Sequence, residues 1–455
     1  MVQKPLSEVA DVVRGIAFPK EDKSYVQRSG DVACLRTTNV QKQVEWDDLW
    51  FVPAKHVKRD DQNVRTGDIL ISTANSYELV GKVAQVAGLP TPATLGAFIS
   101  LIRPKDGVHP KFLYHQLAWG QTQTRIREMS SNTTNISNVS TKKLATLELA
   151  MPDFDQQTLV VAELEKQFSR LDKAVANLQR VKANLKRYKA SVLKDAVEGR
   201  LVPTEAELAR RDGRSFETGE QLLQRILEAR RSAWKGKGKF VMPDGPSVTN
   251  LAALPEGWTW ASAIQACEHV VDCHNKTAPY TTSGIPLVRT TNIRDGRLLL
   301  DEVRCVDQPT YEFWSRRCPP EPGDVLFTRE APMGEAGIVP PGVTLCLGQR
   351  TMLMRPSPAI SAGFLLSALL SPVVKDLIDR VAVGSGVKHL RVGDVERLPV
   401  PLPPIAEQLR VVAEVERRLS LIRQAETQAE LNLLRAERLR SSLLSKAFAT
   451  TSKYS

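Results

Sequence analysis

At 455 residues the chain is longer than a single hydrophobic core usually spans, and its 42% hydrophobic and 25% charged residues are not those of a disordered protein. Its formal net charge of +11 at pH 7 favours a polyanionic partner such as nucleic acid, although a merely basic globular protein has the same balance. The sequence shows no apolar run that could cross a bilayer and no secretory signal, so we expect a cytoplasmic protein that does not contact membranes.

Residues 1–153 are predicted to form a mixed α/β domain. Short apolar runs that end at Gly, Pro or Asn indicate strands, for example at 68–72, 82–86 and 98–102. One helix is predicted from Pro110 to about Met129, because proline stands at its first position and apolar residues follow at helical spacing.

Residues 154–199 are predicted to form one long helix. Neither Gly nor Pro occurs between residues 156 and 198, and Gly199 is well placed to end the helix. Apolar residues alternate at spacings of four and three, which is typical of a coiled-coil seam. The predicted seam of this helix contains Leu164, Phe168, Leu171, Val175 and Leu178.

Residues 200–250 have no duplicate and are predicted to be a linker with one short helix, opened by a capping box of Thr218 and Gln221. The Gly-Lys tract at 235–239 has two interpretations, a solvated linker or a contact to DNA phosphates. A second strand-rich domain is predicted at 251–403 and a second long helix at 404–450. The predicted seam of the second helix includes Val415, Leu419, Ile422 and Leu433.

The two strand-rich domains carry an internal repeat. Arg36-Thr37-Thr38-Asn39 returns as Arg289-Thr290-Thr291-Asn292, and shorter matches follow in the same order at nearly the same separation. These matches pair Gly67-Asp68 with Gly323-Asp324, Leu95-Gly96 with Leu347-Gly348, Arg103-Pro104 with Arg355-Pro356, and 152–157 with 403–408. Two long copies are too few for a solenoid. We therefore predict an α+β protein with two similar mixed α/β domains, separated by two long antiparallel helices that form a coiled coil, and approximate internal two-fold symmetry.

No catalytic motif is visible in the sequence. It lacks a phosphate-binding loop, a Gly-x-Gly-x-x-Gly turn, an Asn-Pro-Pro-Tyr pocket for a flipped adenine, and a recognisable Ser or Cys nucleophile. Four potential zinc ligands lie close together, but their spacing fits no common zinc site and the first repeat has no counterpart, so no metal is predicted. These four residues are Cys267, His269, Cys273 and His274.

Polar residues at predicted loop positions are the candidate DNA contacts. The repeated Arg-Thr-Thr-Asn offers a guanidinium for guanine and an amide for adenine, but small polar residues at strand ends also commonly satisfy turn backbone. A second loop precedes the last strand of each domain, at 130–136 and 384–390, and the two loops differ strongly in sequence. The complete candidate set is Arg36, Thr37, Thr38, Asn39, Asn75, Asn132, Thr133, Thr134, Asn135, Arg289, Thr290, Thr291, Asn292, Arg329, Ser385, Lys388 and His389.

Four segments are typical of one known family: 193–201, which ends the first helix, 254–260, which opens the second domain, 384–390, and 398–408, which leads into the second helix. With them the chain resembles, over essentially its full length, the specificity subunit of a type I restriction-modification enzyme. The resemblance implies two target recognition domains, each reading one half of a bipartite double-stranded DNA sequence, with the helices as a spacer. The first repeat departs from the pattern, because Asn132-Thr133-Thr134-Asn135 stands where the second has Gly384-Ser385-Gly386.

The resemblance also implies that this chain acts with partners and is not itself an enzyme. Two methyltransferase subunits would bring S-adenosylmethionine, and two restriction subunits would bring ATP and Mg, so this chain would bind no cofactor of its own. Two other interpretations of the sequence are a fused or stand-alone DNA methyltransferase or nuclease with unseen motifs, and an orphan DNA-binding module that recruits another effector.

Overall fold

The computed structural model of the chain describes residues 2–133, 136–236, 238–246, 251–274 and 276–452. Contacts within the chain divide it into two compact units. The first unit comprises Met1–Arg180 and Ala429–Ser455, and the second unit comprises Val181–Gln428. Each unit therefore contains one strand-rich region together with parts of both long helices.

Short strands dominate the first part of the chain and end at one long helix. The strands are β1 (Val2–Pro5), β2 (Ala10–Arg14), β3 (Asp31–Leu35), β4 (Trp50–Pro53), β5 (Ile69–Ser72), β6 (Ala74–Asn75), β7 (Val83–Gln85), β8 (Ala93–Leu95), β9 (Ile99–Pro104), β10 (Ser131–Asn132), β11 (Ser137–Asn138) and β12 (Glu148–Met151). The helices are α1 (Leu6–Val9), α2 (Pro110–Ala118), α3 (Gly120–Glu128), α4 (Thr141–Ala145) and α5 (Phe154–Val197).

The rest of the chain begins with two helices and then continues with a second strand-rich region that ends at a second long helix. The helices are α6 (Glu205–Asp212), α7 (Gly219–Ser232), α8 (Ala263–Ala266), α9 (Gln308–Ser315), α10 (Ala362–Leu370), α11 (Pro372–Val381), α12 (Val392–Glu396) and α13 (Ile405–Ser452). The strands are β13 (Thr259–Ser262), β14 (Cys267–Asp272), β15 (Ile285–Val288), β16 (Ile293–Arg294), β17 (Arg297–Leu298), β18 (Arg304–Val306), β19 (Val325–Thr328), β20 (Ala336–Ile338), β21 (Cys346–Leu347), β22 (Thr351–Pro356) and β23 (Pro399–Leu402).

The central sheet of the first unit is antiparallel and has the strand order β2-β9-β5-β7. Because successive side chains of a strand point to opposite faces, β5 is buried on both sides. Ile69 and Ile71 pack with Phe112 of α2, whereas Leu70 packs with Leu35 of β3. A second sheet has the order β4-β3-β8, with β3 and β8 parallel, and β1 pairs with β12.

The second unit repeats these three sheets. Its central antiparallel sheet has the order β14-β22-β19-β20, its second sheet has the order β18-β15-β21 with β15 and β21 parallel, and β13 pairs with β23. Burial alternates along β19 in the same way, because Val325 and Phe327 pack with Phe364 of α10 while Leu326 packs with Val288 of β15. The α+β fold predicted from the internal repeat is thereby confirmed.

A buried ion pair explains two of the repeated sequence motifs. Asp68 is 2% exposed and receives Nε and Nη2 of Arg103 at 2.8 and 2.7 Å. Asp324 is also 2% exposed and receives the same two atoms of Arg355 at 2.8 and 2.9 Å. In both units the hydrogen bonds to the aspartate raise the pKa of the arginine. A buried charge needs such a partner, so these motifs serve the fold.

The start of each long helix is tied to its own unit by a buried glutamine. Gln157 of α5 accepts the backbone N–H of His109 at 2.8 Å and donates to the carbonyl of Pro152 at 2.9 Å. Gln408 of α13 accepts the N–H of Ser361 at 2.9 Å and donates to the carbonyl of Pro403 at 3.0 Å. The repeated segments 152–157 and 403–408 therefore also fix the frame.

Helices α5 and α13 pack together within each unit. In the first unit Asp172 pairs with Arg440 Nη1 at 2.8 Å, and Leu164 shares a core with Phe448. Since the later residue of α5 meets the earlier residue of α13, the two segments run antiparallel. In the second unit Leu193 lines the same groove as Val412 and Val415.

Every predicted seam residue of these two helices is buried or half-buried. Leu164, Phe168, Val415 and Ile422 are buried, whereas Leu171, Val175, Leu178, Leu419 and Leu433 are half-buried. Gly199, at φ +68, follows the end of α5, as its predicted role requires.

Two sequence expectations about helices were wrong. The single helix expected from residue 110 to 129 is broken into α2 and α3 at Trp119, whose ψ of 135° is extended. The indole of Trp119 packs against Phe448 and donates to Ser445 Oγ at 3.2 Å, which stabilises the break. The stretch 200–250 contains α6 as well as the expected helix α7, and Thr204 and Glu207 form a capping box at the start of α6. The structure confirms the capping box of Thr218 and Gln221 at α7.

Candidate nucleic-acid interface

A ladder of backbone hydrogen bonds brings four segments of the first unit to one surface. The N–H of Gly96 donates to the carbonyl of Leu35 at 2.9 Å, next to the Arg-Thr-Thr-Asn turn. Thr73 donates to the carbonyl of Phe98 at 2.9 Å, and Val139 donates to the carbonyl of Thr73 at 2.9 Å. The candidate residues near positions 36, 75 and 132 therefore belong to one continuous strip, which we call the first-unit strip (residues 36–39, 73–75, 96–98, 131–133 and 137–139).

The outer part of the first-unit strip is a small sheet with the order β10-β11-β6. Asn75 pairs with Ser137, and Ser137 pairs with Asn132. Asn132 and Thr133 are exposed, and the Thr133 hydroxyl donates to the carbonyl of Ile136 at 2.9 Å. Thr134 and Asn135 lie outside the described residues. Exposed Asn138, which the sequence prediction missed, continues the same amide-rich hairpin and was signalled by that composition.

The second unit builds an equivalent strip from residues 289–292, 329–330, 348–350, 383–385 and 388–390, which we call the second-unit strip. Gly348 donates to the carbonyl of Val288 at 2.7 Å, and Arg329 donates to the carbonyl of Arg350 at 2.9 Å. Leu390 then donates to the carbonyl of Arg329 at 3.0 Å. Isolated bridges join Glu330 to His389 and His389 to Val383, in place of the small sheet of the first unit.

The side-chain amide of the asparagine in each Arg-Thr-Thr-Asn turn is hydrogen-bonded to backbone groups. Asn39 is 2% exposed, accepts the N–H of Arg36 at 2.9 Å, and donates to the carbonyl of Glu45 at 3.0 Å. Asn292 is 6% exposed, accepts the N–H of Arg289 at 3.1 Å, and donates to the carbonyl of Leu299 at 3.4 Å. These contacts favour the turn interpretation for the two asparagines, and their predicted contact with DNA stays a prediction.

The other residues of the repeated turns differ in how accessible they are. Arg36 pairs with Asp48 and lies over the Trp50 ring, so that only 20% of its side chain is exposed. Arg289 is half-buried, and its Cγ lies only 2.8 Å from the place of a Cβ added at Gly348, which explains the glycine at this position. Thr38 and Thr291 are exposed, whereas Thr37 and Thr290 are half-buried.

The second-unit strip is charged where the first-unit strip is neutral. Arg329 pairs with Asp272 at 3.0 Å and donates from Nη1 to the carbonyl of Leu390 at 3.1 Å. Ser385 and Lys388 are exposed and His389 is half-exposed. Asn75, the approximate counterpart of this charged region, instead donates to Ser72 Oγ at 3.3 Å. The two strips therefore offer different chemistry to a groove of DNA.

The cysteine-histidine group in the second unit does not form a metal site. Burial raises the pKa of the Cys267 thiol to about 12, and the Cys273 sulfur accepts the N–H of Arg350 at 3.1 Å. His274 stacks edge-on against Phe313 and Trp314, and His269 is exposed. Across the described residues no cluster of three or more His, Cys, Asp or Glu side chains could hold a metal ion.

Comparison with known proteins finds similarity to one family. Residues 1–187 match the family model described as "Type I restriction modification DNA specificity domain". Specificity subunits of this family are non-catalytic.

The chain is similar along most of its length to two specificity subunits. It is 24% identical over 455 residues to the type I restriction enzyme EcoKI specificity subunit of Escherichia coli (strain K12), covering 98% of this chain and 87% of that one. It is 24% identical over 361 residues to the EcoBI specificity subunit of Escherichia coli, covering 78% and 69%. A solved structure described as "Structural basis underlying complex assembly and conformational transition of the type I R-M system" has a TM-score of 0.60 and 18% identity, with 98% and 97% covered.

Among the helices of the described part of the chain, none has the length and apolar character that a membrane crossing requires.

Proposed function

We propose that this chain reads a split double-stranded DNA target, with the first unit contacting one half and the second unit the other. The observation that carries the proposal is the pair of strips: one backbone frame is built twice, and it presents neutral amides and hydroxyls in the first unit but arginine, lysine and histidine in the second. Base edges in the major groove are read by such side chains. Two different surfaces on one frame fit two different half-sites.

Net charge supplies the sequence-independent part of binding. The formal charge of +11 attracts the phosphate backbone and would release counterions on binding, so affinity should fall steeply as salt rises. Discrimination between sequences comes from the strips, at about 1–3 kcal/mol for each base pair read.

The long helices set the gap between the two half-sites. Helix α5 is continuous over 44 residues, and an α-helix rises about 1.5 Å per residue, which gives a rod of roughly 66 Å. A rod of this length is of the order of two turns of duplex, each about 34–36 Å.

Methyltransferase subunits carrying S-adenosylmethionine dock on the specificity subunit, and restriction subunits carrying ATP and Mg complete the complex. The match of residues 1–187 to the specificity-domain model and the similarity to the EcoKI specificity subunit support this proposal. The chemistry is then supplied by the partners, while this chain selects where it happens.

Domain exchange tests the proposal directly. Residues 1–153 are replaced by the corresponding domain of a relative with a known target, and methylated sites are mapped after co-expression with the methyltransferase subunit. Only one half of the target should change. The reciprocal exchange of residues 251–403 is the matched control and should change only the other half. A change in both halves after either exchange would refute modular reading.

A length change in the helices tests the spacer. Insertion of a few residues into both α5 and α13 at facing seam positions should lengthen the non-specific gap while leaving both half-sites as they are. A gap that stays constant in an insertion variant of normal stability would contradict the spacer role.

A further inference from the structure

Phe98 and Arg350 occupy equivalent positions at the centre of the two strips. Each stands two residues after the glycine of the repeated Leu-Gly motif, at Gly96 and Gly348. The carbonyl of Phe98 accepts the N–H of Thr73 at 2.9 Å, and the carbonyl of Arg350 accepts the N–H of Arg329 at 2.9 Å. The two residues therefore take the same place in the hydrogen-bonding frame, although Arg350 has a positive φ and Phe98 does not.

Phe98 is a large apolar side chain exposed on a polar surface. It is 63% exposed, whereas the adjacent Ile99 is fully buried in the central sheet. The strip around it carries the threonine, asparagine and serine residues at positions 73, 75, 131–133 and 137–138. An exposed aromatic side chain in this setting contributes nothing to the core and is accessible to a ligand at this surface.

Arg350 is held in a backbone conformation that disfavours it. Its φ is +66°, in the left-handed region that glycine adopts without strain, yet the position carries an arginine. Its side chain is 54% exposed, and Nη1 lies 2.6 Å from Glu330 Oε2. The carboxylate orients the guanidinium and leaves more than half of the side chain open to a ligand.

These two residues are better placed than two arginines of the candidate set, Arg36 and Arg329. Only 20% of the Arg36 side chain is exposed, because it is engaged by Asp48 and Trp50. Only 13% of the Arg329 side chain is exposed, because it is engaged by Asp272 and Leu390. A residue that reads a base edge has to reach beyond the protein surface, which favours the more exposed positions 98 and 350.

We infer that Phe98 and Arg350 are specificity-determining residues, one for each half of the target. Phe98 makes an apolar contact with the 5-methyl group of a thymine, and Arg350 donates in a fork to O6 and N7 of a guanine, the most frequent specific contact of arginine in the major groove. The inference rests on the proposed function and adds the bases that each unit recognises at this position.

The first experiment uses the full chain in complex with its methyltransferase subunit and maps the methylated target. Phe98→Ala should relax one base pair in one half only, and Arg350→Asn should relax one base pair in the other half only. Asparagine is chosen because it tolerates the left-handed backbone at position 350. Discrimination at that base pair should fall about 10- to 100-fold, the range expected for one direct readout contact.

Matched controls separate reading from mere folding. Phe154→Ala removes an aromatic side chain that is 50% exposed on α5 of the same unit. Arg417→Ala removes an arginine whose side chain is 60% exposed and paired with Glu414 at 2.7 Å, in the second unit. Both controls should leave the target as it is in the wild type. Phe98→Leu, which keeps an apolar contact, should retain most of the discrimination.

Base analogues then test the named atoms on oligonucleotides of the mapped target. Uracil in place of the contacted thymine removes the methyl group, and 7-deazaguanine in place of the contacted guanine removes N7. The wild-type complex should weaken on each analogue, while Phe98→Ala should be insensitive to the first and Arg350→Asn to the second. Variants that remain as sensitive as the wild type, or that weaken all sequences equally, would overturn the inference. A wild-type complex without any split target would instead refute the proposed function itself.

Discussion

The two units share a frame and differ at the surface it supports. Both contain the same sheet orders, the same buried Asp–Arg pair and the same glutamine at the start of a long helix. The first-unit strip presents amides, hydroxyls and Phe98, whereas the second-unit strip presents Arg350, Lys388 and His389. What the internal repeat preserves is therefore the scaffold, and what it varies is the part that would touch DNA.

This difference changes how the repeated motifs are interpreted. Arg-Thr-Thr-Asn is the most conspicuous match between the two copies, yet its asparagines are buried and bonded to backbone. Residues identical in both units maintain what both units need in common, namely a fold. Readers of two different half-sites have to differ, so the positions to examine are those where the frame is equal and the side chain is not.

The largest effect is expected from the shared buried ion pair. Arg103→Ala in the first unit and Arg355→Ala in the second each leave a buried carboxylate unpaired, which should lower the free energy of unfolding by about 3–5 kcal/mol. Chemical denaturation with hydrogen exchange would assign each loss to its unit. Arg65→Ala, which breaks the exposed Arg65–Asp60 pair, is the control and should cost under about 1 kcal/mol. A loss of stability in only one unit would contradict the claim that the buried ion pair has the same role in both units.

Helix packing in the first unit gives the next largest effect. Leu171→Asp places a charge on the half-buried seam of α5 and should lower the free energy of unfolding by about 1–3 kcal/mol, with earlier thermal melting. Leu159→Asp, on the same helix but at a side chain 70% exposed, should melt close to the wild type. Equal melting temperatures of the two variants would contradict the assignment of Leu171 to the helix-packing seam.

A cation–aromatic pair occurs in both units with its partners exchanged. Lys23 Nζ lies 4.4 Å from the Trp50 ring, and Arg304 Cζ lies 4.4 Å from the Tyr280 ring. The bridges Ser24 to Phe51 and Thr281 to Cys305 make these positions equivalent. Tyr280→Lys and Arg304→Tyr should each lose about 0.5–1 kcal/mol, and the double variant should regain most of it. A double-mutant cycle with no coupling energy would show that the pair contributes nothing.

The smallest effect appears only as the pH falls. Burial lowers the pKa of His115, against the opposing effect of Glu165 at 3.0 Å, and nearby Arg440 and Lys111 lower it further. A histidine whose pKa is lower in the folded state than its unfolded value of about 6.5 contributes to stability at pH values above about 6.5. That contribution is lost as the pH falls through the folded-state pKa. His115→Gln keeps a donor to Glu165 without titrating. The stability advantage of the wild type over this variant should therefore shrink as the pH falls from 7.5 to 5. An advantage that grows over this range would mean that folding raises the pKa of His115, contrary to the prediction.

The sequence is most informative where the pattern is periodic or locally capped. The four-three spacing of Leu164, Phe168 and Leu171 identifies the packed face of α5, and Thr218 with Gln221 identifies the start of α7. The break at Trp119 and the helix α6 were missed. The break depends on contacts with Phe448 and Ser445, far away in the chain, and α6 is too short for its periodicity to stand out.

The candidate surface was harder to predict than the fold. Sequence comparison of the two copies identifies identical residues first, and these include the buried Asn39 and Asn292. Phe98 and Arg350 are unlike each other, although both stand two residues after the repeated Leu-Gly, and the backbone hydrogen bonds to Thr73 and Arg329 show that they take one place in the frame. The exposure and the backbone conformation of these two residues decide whether they can contact a ligand. Residue spacing in the sequence predicts neither property.

Methylation mapping tests the central claim most directly, that two units on one frame read two halves of a target. The chain is co-expressed with its methyltransferase subunit, and N6-methyladenine is located across the host genome by single-molecule sequencing, with and without this chain. The account predicts a split motif with a fixed non-specific gap that disappears when the chain is omitted. A continuous motif, or methylation that persists unchanged without the chain, would contradict it.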